Sequence, residues 1–128
     1  MAVSSYRNLI VVSLAGVDLT AAASSKIFTT DAGLRFIPTQ VVAEITTADT
    51  IAVAPTISVG TNAATYNDIL TASALTGLTA VNKMLGFGLT AAAGTSVAAS
   101  VDIYVKVTTG ATAVACVGRI DVIGYYQP

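Results

Sequence analysis

Seven carboxylates, six cationic side chains, one thiol, five tyrosines and no histidine are the titratable inventory of this sequence. Without an imidazole, the usual general base, the Ser-His and Cys-His nucleophile pairs and the commonest metal ligand are all missing together. Asp18, Asp31, Glu44, Asp49, Asp68, Asp102 and Asp121 are what remains for acid-base work. Two of them facing each other across a cleft would suit glycoside hydrolysis, but sugar clefts are built on flat aromatic platforms and the chain has no Trp. Asn62, Asn67 and Asp68 share one loop and carry oxygens that calcium accepts, yet their spacing fits no EF-hand. Asn and Asp in such a loop are expected to bond their own backbone. Ser25-Lys26 is no dyad, because adjacent strand residues point to opposite faces. Gly86-Phe87-Gly88 lacks the Lys and the helix start of a phosphate loop. Cys116, between Ala115 and Val117, reads as a small buried hydrophobe with no disulfide partner. No catalytic residue, cofactor or metal is expected, and the chain is read as no enzyme.

The elements that would position any site are strands. Of 128 residues, 54% are hydrophobic but only 6% aromatic, so the core must be built from small and β-branched side chains. One domain fits this length. Val101, Ile103, Val105 and Val107 alternate with Asp102, Tyr104, Lys106 and Thr108, and Ala113 to Tyr126 follows a turn at 108–111 as the partner strand. In that pairing Arg119, Asp121 and Ile123 face away from Ile120 and Val122, and Lys106 meets Asp121 or Asp102 meets Arg119 across the ladder. Tyr6 to Leu14 reads as a first strand, ended by Ala15-Gly16-Val17-Asp18. Leu19 to Ser25 is either a short helix or an extended arm.

Asp31 to Gly33 is a turn, and Leu34 to Thr47 is β-rich, with Pro38 marking an edge or a break. Thr56 to Val59 is a half-buried strand with Ile57 and Val59 inward. Asp68 is positioned to cap one helical turn through Ile69, Leu70 and Thr71. Ala74 to Val81 and Lys83 to Leu89 complete the set. The uncharged stretch Met84 to Val101 is read as two strands around a turn at 92–95, not as a membrane span. The sum is an all-β, single-domain antiparallel β-sandwich, jelly-roll-like, with a strand or arm segment over 1–32 ahead of a body over 33–128.

Charged residues are only 10% of the chain, against about 25% in ordinary domains, and net charge is -1. So neutral a surface is expected to be covered by neighbouring subunits or coated by Thr and Ser hydroxyls. The six Lys and Arg residues are scattered, which speaks against nucleic-acid binding. Arg7 followed by the apolar run Leu9 to Val17 imitates a secretory signal, but Asp18 interrupts it and the segment is expected to be retained. Tyr6, Arg7, Tyr104, Lys106, Arg119, Asp121, Tyr125 and Tyr126 form the candidate interaction surface, since Tyr is enriched at interfaces.

Pro55-Thr-Ile-Ser-Val-Gly-Thr-Asn62, Tyr66-Asn-Asp-Ile-Leu70, Ile103-Tyr-Val-Lys-Val-Thr-Thr-Gly-Ala-Thr112 and Gly118-Arg-Ile-Asp-Val-Ile-Gly-Tyr-Tyr126 together resemble the small β-sandwich virion proteins of tailed bacteriophages. That resemblance implies a capsid decoration (cement) protein, or a tail or fibre component. It implies a homotrimer bound to the major capsid protein or other virion proteins, located on the virion and made in the host cytoplasm, with no nucleic acid or membrane partner. Residues Met1 to Ser25 would then serve as an arm or foot. A glycan-binding module for host attachment is the reading from another class, and it would rest on Tyr104 or Tyr125.

Overall fold

The computed structural model describes residues 8–89 and 96–127. Tyr6, Arg7 and the turn expected at 92–95 lie outside them. Eight strands run in the order β1 (Ile10–Asp18), β2 (Ser24–Thr29), β3 (Arg35–Ala48), β4 (Thr56–Gly60), β5 (Leu70–Ala74), β6 (Met84–Gly88), β7 (Asp102–Thr109) and β8 (Cys116–Gln127). They form two four-stranded antiparallel sheets, β1-β8-β3-β6 and β2-β7-β4-β5. The pairings nest, with β1 beside β8, β2 beside β7, β3 beside β6 and β4 beside β5.

The alternation in β7 does what its period demands: Ile103, Val105 and Val107 are buried in the core while Asp102, Tyr104 and Lys106 face outward. Opposing them across the sandwich are Phe36, Val41, Ala43 and Ile45 of β3 and Ile120 and Val122 of β8, all at 0% exposure. The bulkiest member is Phe36, whose ring meets Phe28 edge-on at 5.2 Å and Tyr126 at 5.3 Å. Gly124 faces Phe36 so closely that an added Cβ would lie 2.6 Å from its Cζ. Here a glycine against the largest ring lets the two sheets close around it.

Several expectations are corrected. The strands β7 and β8 are not a hairpin. The connection between them crosses from one sheet to the other, held by Ala111 N–H to Leu19 O at 2.7 Å and Thr112 N–H to Val53 O at 3.0 Å. Alternation reports which face is buried and carries no information about which strand lies alongside. Consequently Lys106 does not meet Asp121, and Asp102 does not meet Arg119.

The Ala15-Gly16 pair does not end β1. It is a bulge, with Leu14 opposite Ile120 and Val17 opposite Gly118, and Gly16 supplies the φ of +71° that the extra residue needs.

Leu19 to Ser25 is neither helix nor arm. Leu19 is fully buried and donates its N–H to Cys116 O at 2.8 Å, so the chain passes straight from β1 in one sheet to β2 in the other. The described part of the segment 1–32 thus supplies one strand to each sheet.

Finally, residues 69–71 make no helical turn and 74–81 make no strand. Leu70 begins β5, and Leu75 and Leu78 are buried in a turn closed by Leu78 N–H to Leu75 O at 3.0 Å. Pro38, expected to mark an edge or a break, lies on the interior strand β3 at a break in its ladder. It is tolerated because β6 pairs only with Gln40 to Glu44, and a bulge separates Pro38 from Gln40 in the β8 ladder.

Candidate functional site

The carboxylates are used locally. Asp18 accepts from Thr20, hydroxyl at 2.6 Å and amide at 2.9 Å, which holds its carboxyl below the usual range. Asp102 accepts from the Thr29 hydroxyl at 2.5 Å. Asn62, Asn67 and Asp68 bond within their own loop, as turn residues do: the Asn62 side-chain Oδ1 takes the Asn67 N–H at 2.8 Å, and Asp68 takes the Thr61 amide and hydroxyl, each at 2.6 Å. Among the described residues no three Asp, Glu or Cys side chains converge as a metal site would require. Cys116 is buried, and burial together with the nearby Asp18 charge pushes its thiol up. The folded protein is therefore expected to resist a thiol-reactive chromogenic disulfide at neutral pH and to release one equivalent on unfolding. Rapid reaction of the native chain would show that the strand β8 opens there.

Tyr104 and Lys106 lie on the outer face of β2-β7-β4-β5, and the 61–68 loop folds over them. Tyr66 stacks on Tyr104 with ring centres 4.5 Å apart and planes 25° from parallel, and Lys106 Nζ donates to Ala64 O at 2.9 Å. Tyr66 sits at φ +45°, a conformation uncommon for a bulky residue, secured by its N–H to Asn62 O at 2.7 Å. The loop passes so near β4 that a Cβ on Gly60 would stand 2.6 Å from Asn67 N and from the Tyr66 carbonyl carbon. The same cover buries Ser58, so β4 is enclosed on both faces where alternation suggests one. These two candidates thus hold the protein's own loop. Because Asp68 closes that loop, Asp68→Ala is expected to cost about 1–3 kcal/mol by stranding the Thr61 amide. A urea titration reads that loss, and no change in midpoint would show that the loop does not depend on Asp68.

The outer face of β1-β8-β3-β6 holds Arg119, Asp121 and Tyr125, and nothing in the described chain folds over it. Arg119 Nη2 donates to Glu44 at 2.7 Å, and its Nε lies 3.3 Å from Asp121 Oδ1. At that separation the Nε and Oδ1 atoms form an ion pair but no aligned hydrogen bond, and both are sealed from solvent. Around this cluster run Val11 opposite Ile123, Asp121 opposite Val42, and Glu44 opposite Met84. Tyr126 is elsewhere: its ring packs inward on Phe36, and its hydroxyl accepts the Asp31 N–H at 3.0 Å. Burial pushes that phenol up.

The structure therefore splits the described candidates between two opposite surfaces and the interior. Val11, Val42, Glu44 and Met84 were not among the candidate interaction residues, although the unbroken apolar run Leu9-Ile-Val-Val12 signals a strand with no polar face.

Two chains in phage capsids share this fold. One belongs to the structure "Cyanophage Pam1 capsid asymmetric unit", with TM-score 0.59 and 23% identity over 100% of this chain and 93% of that one. The other belongs to "Capsid of Ralstonia phage GP4", with TM-score 0.60 and 18% identity over 95% of this chain and 84% of that one. No protein-family model matches the chain, and no curated protein matches it at a significant level.

Proposed function

We propose that the chain is a structural protein of a phage virion, and specifically a decoration (cement) protein bound to the assembled head. The observation that carries this reading is the extent of the likeness. The correspondence runs along nearly the whole of both chains, as expected for a small separate capsid chain and not for one domain of a large shell subunit. The nested strand order of the two sheets suits the jelly-roll reading, an architecture shared by viral capsid and lectin domains, and so supports the proposal. The low charge content supports a surface that is covered in the assembly.

A cement protein works by mass action. It binds the closed shell and not the dissociated subunits, so each bound copy shifts the equilibrium toward the shell. No step of that work needs a titrating group. The glycan-binding reading is weakened by the Tyr66 ring, which already occupies a face of Tyr104.

Antibody labelling of purified virions tests the proposal. Label spread over the head surface is expected, and label confined to the tail or fibres would overturn it. The accompanying proposal of a homotrimer predicts a solution mass three times the 12.9 kDa of one chain by light scattering. A monomer at micromolar concentration would remove the trimer and leave the head location standing.

A further inference from the structure

The two outer faces of the sandwich are finished differently. One is covered by the chain's own 61–68 loop. The other, on β1-β8-β3-β6, has none of the described residues folded over it: its rows across the sheet read Val11, Ile123, Gln40, Gly88 and then Ser13, Asp121, Val42, Gly86. Val11 is 59% exposed and Met84 56% exposed, although neither is needed by the core. Apolar area left on a sheet face beside small residues has the form of a protein contact.

Charge selects the occupant. Glu44 and Asp121 share the single guanidinium of Arg119, so the cluster carries one uncompensated negative charge. The Asp121 side chain is only 10% exposed, and its buried Oδ1 accepts no aligned hydrogen bond among the described residues, only the 3.3 Å ion-pair contact with Arg119 Nε. A carboxylate this poorly solvated and half-compensated is costly, and a cationic donor arriving from outside relieves that cost. Two copies pressed face to face would instead enclose two such negative clusters. The occupant is therefore a different protein, apolar at the contact and offering one Lys or Arg.

Resting on the head-protein reading, we propose that this sheet face is the docking surface for the capsid shell, with a basic side chain of the shell completing the Arg119–Glu44–Asp121 cluster beside an apolar contact at Val11, Val42 and Ile123. The test uses heads of the phage that encodes the chain, stripped of this protein and re-coated with purified full-length variants. Val11→Glu adds an acid at an exposed position of the face, Asp121→Asn removes the charge at constant shape, and Thr71→Glu adds an acid on exposed β5 as a control. Thermal melts check that all three fold. Coating by wild type and Thr71→Glu, with affinity roughly tenfold or more weaker for Val11→Glu and Asp121→Asn, is the expected result. Wild-type coating matched by both face variants would overturn the docking face and leave the head-protein reading intact. Failure of the wild type to coat heads would overturn both. Loss of self-association in free Val11→Glu, with coating unchanged, would assign the face to contacts between copies and overturn the proposal.

Discussion

A chain lacking residues 1–25 is expected not to fold. The deletion removes β1, the buried Leu19 and the first two residues of β2, and so takes strand pairing from both sheets. On one side it strips the β1 ladder from β8, between Ile10 opposite Gly124 and Asp18 opposite Val117. On the other it opens the core where Leu19 lies against Gly118, so close that a Cβ there would stand 2.8 Å from Leu19 Cδ1. Losing one such leucine to Ala already costs about 2–5 kcal/mol, against a total stability of about 5–15 kcal/mol for a domain. Circular dichroism on heating should show no cooperative transition, and an apolar dye should bind at room temperature. A sharp melt with an undiminished urea dependence would restore the N-terminal segment as a separable arm.

Phe36→Ala is expected to be the most damaging single substitution in the core, lowering stability by about 3–5 kcal/mol. Phe36 is the largest fully buried side chain, and it is the ring on which Phe28 and Tyr126 both meet. The void would be poorly refilled, because Gly124 offers no side chain and Val97, bridged to Phe36 through the backbone, is already buried. For a domain of this size the midpoint should fall by on the order of 10–20 °C. In urea the midpoint should drop with the slope unchanged, since the native surface is preserved. A loss below about 1 kcal/mol would mean that Phe28 and Tyr126 collapse into the space.

Much of the strand content was legible because it depends on local rules. The alternation over 101–108 fixed the inward set of β7, and the Asp31-Ala-Gly33 turn and the Asn and Asp bonding of the 61–68 loop followed from turn chemistry. The absence of histidine and the low charge are statements about composition, and no fold can alter them. The partners of the outward charges were not legible. Arg119 and Asp121 were correctly turned away from Ile120 and Val122, but their partner proved to be Glu44, 75 residues from Arg119.

What the sequence determined by itself is the period of the strongly alternating strands β7 and β8 and the chemistry they carry: a β-branched core, outward Tyr104, Lys106, Arg119 and Asp121, and no imidazole. Only the tertiary structure decided which strands lie side by side. Backbone hydrogen bonds are the same for every residue, so pairing is chosen by how whole apolar faces close on one another. That choice sent β7 and β8 to opposite sheets, made β1 structural, put the 61–68 loop over one face and left the other without cover among the described residues.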